Sequence, residues 1–270
     1  MKKSEFADKV FGRINRAQSK VEIRRKNKPV EQPPPPPPPA PKGLRELATE
    51  AFLRGEGIEI GALHRPLIVP PELKVRYVDR LSVDGLREHY PELEGQPLVP
   101  VDIVDDGETL DSIEAASQDF IVANHFFEHC QDPIKTLGTM FSKLRPGGVL
   151  YMAVPNKDYT FDLKRPVTPY QHILDDHENG PQKSRTAHFE EWTRLVAGIE
   201  GEKAAAHTKK LMDEDYSIHF HVWDQPALTA LFFKLRRDGI LNYDVELLLR
   251  NGEEVIVVLR KPAEVEPKAV

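Results

Sequence analysis

Between residues 43 and 262, short apolar runs alternate with longer amphipathic stretches. Segments 57–61 (GIEIG), 74–79 (KVRYVD), 99–104 (VPVDIV), 120–123 (FIVA) and 149–154 (VLYMAV) are short, rich in Val and Ile, and bounded by turn-forming residues. Each predicts a strand. Residues 132–144 carry a helical apolar period, with Asp132 as N-cap and Pro133 at the first helical position, and close on Arg145-Pro146-Gly147-Gly148. Leu44, Leu47, Ala48 and Ala51 predict a short amphipathic helix, and 226–237 predicts another near the end. Runs 243–249 and 254–260 flank Asn251-Gly252, a pair that tolerates the positive φ of a tight turn, so the last two strands form a hairpin. The fold class expected is α/β: a mostly parallel, doubly covered sheet with a C-terminal antiparallel hairpin.

The N-terminal pattern is different. Phe6, Val10, Ile14, Ala17 and Val21 share one helix face, and Lys9, Arg13, Arg16 and Lys20 form a basic row beside it. Residues 1–32 hold ten Lys or Arg against four acids, so the arm is +6 and the rest of the chain −12, within a net −6. A solvated, partly disordered tail is the plainer reading. The functional one is contact with an anionic membrane surface or an acidic protein partner through residues 1–42. Prolines 33–39 and Pro41 impose an extended polyproline II spacer. The expected organisation is an arm (1–32), a linker (33–42), one domain (43–262) with an insertion at about 155–223, and a tail (263–270).

Composition removes several classes. No apolar run approaches the ~20 residues of a membrane span, and the first residues lack a signal-peptide core. Cys130 is the only cysteine, which excludes an internal disulfide or a Cys-based zinc cluster and points to a reducing, cytoplasmic setting, with the arm at most peripheral on the inner membrane face. The acidic body argues against nucleic acid as a partner.

In an open parallel sheet, ligands sit beyond the carboxyl ends of the strands. The residues there are Glu59 and Gly61, then Asp79, then Asp105-Asp106-Gly107, then Asn124 and His125. Gly61 permits close approach, Glu59 can accept from an amine or from its own loop, and Asp79 follows Gly61 by 18 residues, near the spacing of a ribose-binding carboxylate. Asp105 and Asp106 can accept from an exocyclic amine. Each acid alone is as readily a turn former.

Taken together, GIEIG (57–61), YVD (77–79), DDG (105–107), DFIVANHFFEH (119–129) and LRPGGVLYMAV (144–154) resemble the class I S-adenosylmethionine-dependent methyltransferases. EIGALHRPL, VDIVDDGETL, VPNKDYTFDLKRPVT and IHFHVW are similar, more narrowly, to bacterial methyltransferase domains associated with glycosyltransferases and surface-glycan biosynthesis. The resemblance spans about 55–260 and implies a Rossmann-like methyltransferase fold, S-adenosylmethionine as cofactor, and O-methylation of a sugar or glycan acceptor. The implied cofactor residues are Glu59, Gly61, Asp79, Asp105, Asp106 and Asn124. One departure stands out: Leu63 and Arg65 occupy the positions of the family's second and third glycines, with Pro66, Pro70 and Pro71 following. His64 or Arg65 is then the expected partner of the methionine carboxylate. The same departure leaves an alternative, a degenerate scaffold recruiting partners through its basic, proline-rich N-terminus.

Methyl transfer to oxygen needs a base, and His125 and His188 are the candidates, chosen from a set that includes His172, Asp175, Asp176 and His177. The insertion, with Tyr159, Asp162, Arg165, Tyr170, His172, Asp175, His188 and Trp192, is the expected acceptor lid. His219-Phe220-His221 has metal-like alternation, with Asp175 or His172 as further ligands. It reads more simply as an ordinary strand, so no metal is expected. Trp192, Trp223 and Cys130 are read as packing residues.

Overall fold

The computed structural model describes residues 42–263. The basic arm, nearly all of the proline spacer and residues 264–270 lie outside the described residues. Seven strands form one sheet in the order β3-β2-β1-β4-β5-β7-β6. They are β1 (Glu56–Ile60), β2 (Lys74–Asp79), β3 (Ile103–Val104), β4 (Gln118–Asn124), β5 (Leu144–Pro155), β6 (Asp244–Asn251) and β7 (Glu254–Arg260). The first five run parallel. β7 inserts between β5 and β6 and is antiparallel to both, as the hairpin pattern predicted.

Both sheet faces are covered. Ile58, Ile60, Val78, Ile121, Ala123, Leu150 and Met152 pack against Leu137 and Met140 of α3 (Pro133–Lys143) and against Leu228 and Phe232 of α7 (Gln225–Arg237). The opposite face, with Phe120, Val122, Tyr151, Ile256 and Val258, is closed by Leu53, Leu67 and Ala48 of α1 (Leu44–Phe52). The Asp132 carboxylate caps α3 by accepting from Lys135 N at 2.9 Å. α2 (Val83–His89) follows β2 and is capped by Ser82. Among the described residues, no helix is long and apolar enough to cross a membrane.

Three local expectations are corrected. The strand at 99–104 shrinks to Ile103–Val104, because Pro100 has no N–H and the Asp102 carboxylate takes Tyr77 N at 2.8 Å in place of a ladder bond. β5 starts at Leu144 rather than Val149: Gly147 at φ +80° allows a bulge through which pairing with β4 continues. In α1 the apolar stripe is only half used, since Ala48 and Thr49 are buried while Leu44 and Leu47 stay 40% and 48% exposed.

Between β5 and α7 the chain adds α4 (Tyr170–Asn179), α5 (Gln182–Leu195) and α6 (Glu202–Asp213). These helices have a small core of their own, formed by Phe189, Leu211, Ile218 and Phe220. The fully buried Arg165 guanidinium ties them down, pairing with Asp162 at 2.9 Å and Glu191 at 2.7 Å and donating to His219 O at 2.8 Å. Removing one partner of so buried a pair costs about 3–5 kcal/mol.

Candidate active site

Because β1 to β4 are parallel and in register, their carboxyl ends lie on one edge: Ile60 pairs with Val78, and Asp79 with Val104. The loops there surround a cleft of about 430 Å³, large enough for a small-molecule ligand. Gly61, Asp79, Asp106 and His125 all line it, with Leu63, Gly107, Glu108 and Phe126. Gly61 sits at φ +65°, and a Cβ there would meet nothing within 4 Å, so the space beside it is open. Gly107 is the reverse case: a Cβ would meet the Phe126 ring at 2.6 Å and Ile60 at 2.7 Å. Its loop can therefore approach only as glycine.

The Asp79 carboxylate accepts from Arg80 N at 2.8 Å, and burial raises its pKa above the ordinary range. Asp106 accepts from Glu108 N at 2.7 Å. Glu108 is pushed up to about 7, by burial first and by the neighbouring Asp106 charge second. The cleft wall is thus rich in acceptors and suits a ligand with many N–H and O–H donors.

His125 is held in an uncommon way. Its backbone is left-handed, φ +49°, and its N–H donates to Ala153 O at 2.8 Å. Of the five non-glycine residues with positive φ among the described residues, Leu63, His125 and Asp215 line the cleft, and such strain clusters at functional sites. The His125 Nε2 lies 2.9 Å from Glu254 Oε2. Glu254 begins β7, whose antiparallel direction brings its first residue to the carboxyl edge, opposite Pro155. Burial works upward on Glu254, but hydrogen bonds from Arg45 and His125 outweigh it and hold the carboxyl at about 2. His125 therefore faces a carboxylate that stays ionised.

The other expected site residues are not brought to this cleft. On the strand alternation, Glu59 points to the face opposite Ile58 and Ile60. Both of its oxygens accept from Leu67 N, at 3.0 and 3.1 Å, so it fastens the β1–β2 loop. Burial pushes its carboxyl up to about 7. Asn124 sits beside Glu59, where it favours the charged carboxylate, and it is not among the residues lining the cleft. Asp105 accepts from Asp106 N at 2.8 Å and Ser112 N at 2.7 Å and so shapes the loop. His64 and Arg65 are absent from the lining.

His188 is in the insertion, 3.0 Å from His172, and it does not line the cleft. The insertion does reach the cleft, but through Asp215, Tyr216, Ser217 and Phe220. None of the eight residues expected of the lid lines it; Asp162 and Arg165 are consumed by their own ion pair, and Asp175 accepts from Gln171.

Sequence reasoning missed Glu108, His129 and Gln131. Glu108 follows two already prominent acids in DDGE, which was the available signal. His129 belongs to a one-turn helix, Phe127–His129, that no periodicity reveals. Its Nδ1 is 2.9 Å from Ile218 O, and burial lowers its pKa to about 3. Trp223 stacks on Phe127 at 5.2 Å, and Cys130 is buried.

A family model described as a methyltransferase domain matches residues 40–234. No curated protein matches the sequence. Similar solved structures include an S-adenosylmethionine-dependent methyltransferase from Aquifex aeolicus, 13% identical, covering 81% of this chain and 89% of that one at a TM-score of 0.43. Another, from Methanosarcina mazei, is 15% identical, with coverages of 80% and 97% and a TM-score of 0.39. The CurJ carbon methyltransferase is 12% identical at a TM-score of 0.40; the match covers 78% of this chain but about half, 49%, of that one.

Proposed function

The chain belongs to the methyltransferase domain family, whose methyl donor is S-adenosylmethionine, and from that premise we propose that it methylates a hydroxyl oxygen of a sugar or glycan, with His125 as the base. The residues present fit the cofactor. Open space at Gly61 admits the methionine part, and Asp79 and Asp106 in one cleft offer acceptors to ribose hydroxyls and an adenine amine. The open cleft speaks for a cofactor-binding domain over a degenerate scaffold, since Leu63 lines the space without filling it.

When bound, S-adenosylmethionine supplies an electrophilic methyl group. The chain's own part is to orient the acceptor and take its proton. In the His125 tautomer that donates Nε2–H to Glu254 Oε2, Nδ1, 3.7 Å from Glu128 Oε1, carries the lone pair that accepts the proton. Glu254, held ionised, then offsets the positive charge that develops on the ring. His129 suits the role less well, because a base lowered to about 3 takes a proton weakly. The single observation that carries the assignment is the strained His125 backbone beside an ionised carboxylate at the cleft. The sugar class rests on the resemblance to glycan-associated methyltransferase domains, supported by the acids, hydroxyls and rings of the cleft, including Tyr90, Asp215, Tyr216 and Ser217.

The test is transfer of labelled methyl from S-adenosylmethionine to a panel of nucleotide sugars and glycan oligosaccharides, alongside small phenols and amines. Labelling of a sugar oxygen that His125→Ala abolishes, with cofactor binding intact by calorimetry, is expected. Labelling confined to phenols or amines would overturn the acceptor class, and a wild-type rate in His125→Ala would overturn the base.

A further inference from the structure

Outside the cleft, the insertion gathers four metal-ligating side chains from three elements. His172 and Asp176 are four residues apart on α4 and so share a helix face. His188 comes from α5. His221 comes from the segment entering α7. That segment is not a strand: Phe220 N and His221 N both donate to Glu128 O, at 2.8 and 3.2 Å. Successive amides aimed at one acceptor break the pleat, so His219 and His221 do not point the same way. His219 pairs with Asp162 at 2.6 Å, whereas His221 turns toward α4 and α5.

We propose that His172, Asp176, His188 and His221 form a closed, four-ligand zinc site that fastens the insertion to the body of the domain. Four ligand atoms about 2.0–2.1 Å from a tetrahedral centre stand about 3.3 Å from one another. Here His172 Nε2 is 3.0 Å from His188 Nε2 and 3.2 Å from Asp176 Oδ2. His188 Nε2 and His221 Nε2 are 3.9 and 3.8 Å from the same oxygen. All four ligand atoms lie within 4.8 Å of each other. Three imidazoles and one carboxylate are a donor set that zinc favours.

A second observation points to a cation. Asp176 is 97% buried, being 3% exposed, and its Oδ2, the oxygen facing the three rings, makes no hydrogen bond. The other oxygen accepts from Ser184 Oγ at 2.6 Å, which orients the carboxylate as metal sites commonly do. A cation there would compensate the buried carboxylate oxygen, whose nearest polar neighbour is His172 Nε2 at 3.2 Å. His221 Nδ1 lacks the supporting acceptor that a bound imidazole usually has. Its Nε2 is 3.4 Å from Gln131 O, a long contact that a bond to a metal would replace. His172, at 33% side-chain exposure, leaves a way in.

Four protein ligands leave no open position, so the role is structural. Its consequence reaches the cleft, because Ser217 and Phe220, which line the cleft, lie just before His221 in the chain.

The experiment uses the full chain without an affinity tag, purified without chelator, with metal content by mass spectrometry and zinc titration of the chelator-stripped protein. One zinc per chain is expected, and cobalt in its place should give the visible absorption of a four-coordinate ion. His172→Ala/His188→Ala should lose the metal and unfold at the temperature of the stripped wild type. Asp176→Asn, which alters shape least, should bind zinc about ten-fold more weakly or worse, which keeps the test decisive if the double variant fails to fold. Glu128→Gln, at the neighbouring Glu128–His129–His219 group, should keep its zinc. A wild-type chain that neither carries zinc nor binds it at micromolar concentration would overturn the proposal and leave a hydrogen-bonded histidine cluster. Zinc that persists in the double variant, or disappears in Glu128→Gln, would overturn it equally.

Discussion

Glu254 joins three parts of the domain. Its carboxylate takes Arg45 Nε of α1 at 2.7 Å, Asn251 Nδ2 of the hairpin at 2.7 Å, and His125 Nε2 at 2.9 Å. Its side chain is only 10% exposed, so solvent screens these contacts little. Folding moves the carboxyl from its ordinary 4.5 to about 2, a separation of ~2.5 pH units, worth ~3 kcal/mol at ~1.36 kcal/mol each. A carboxyl whose pKa is depressed by folding adds stability above its unfolded value and loses it as pH falls through the folded one. The full contribution is therefore present above about pH 5, falls to about half by pH 3, and vanishes below about pH 2.

Glu254→Gln, which keeps the shape and one acceptor, should lower unfolding free energy by about 2–3 kcal/mol at pH 7. For a body of this size that is a drop of roughly 4–12 °C in Tm. Urea unfolding of both proteins from pH 7 to pH 3 gives the difference directly, with other carboxylates cancelling. The two curves should converge toward acid. A gap that stays constant across this range would refute the reasoning, since the loss would then be packing rather than charge. Arg45→Ala should cost less in the Glu254→Gln background than in the wild type, because the two share one interaction.

Asp79→Ala should weaken S-adenosylmethionine binding about ten-fold or more, as the loss of a charge-assisted hydrogen bond does, read by calorimetry. Gly107→Ala should destabilise the domain by about 1–3 kcal/mol in urea, because its Cβ must displace Phe126 and Ile60. Deleting residues 1–42 should leave cofactor affinity unchanged while abolishing any salt-sensitive sedimentation with anionic vesicles, which follows from the arm's +6 charge. Equal sedimentation of both forms would make the arm a plain tail.

The fold was legible because its signals are local. Val- and Ile-rich runs, Asp132-Pro133 at a helix start and Asn251-Gly252 at a turn each decide their own few residues. The sheet's order then follows from the connection rules for parallel strands and from one hairpin. Errors fall where a local signal meets a tertiary one. Pro100 and the Asp102 side chain cut β3 short, and a bulge at Gly147 lengthens β5.

The candidate site was legible only to the level of the edge. Sequence places Glu59, Asp79, Asp105, Asp106 and His125 after strands, but which way each carboxylate turns depends on partners far along the chain. Glu59 sits one residue from Ile60, yet the sheet divides them, and the Leu67 amide claims it. Asp105 and Asp106 are adjacent, and the former is spent on Ser112 N while the latter faces the cleft. His125 owes its setting to Glu254, 129 residues away, and no spacing rule joins them. The same limit blurred the histidine cluster. The HFH alternation put His219 and His221 together, with His172 or Asp175 as further partners, but the Glu128 carbonyl bends that segment and leaves only His221 beside Asp176 and His172, 45 and 49 residues earlier. Side chains that act together here converge through topology, so chemistry at the edge can be read from sequence as a set of candidates, and the pairing among them needs the folded chain.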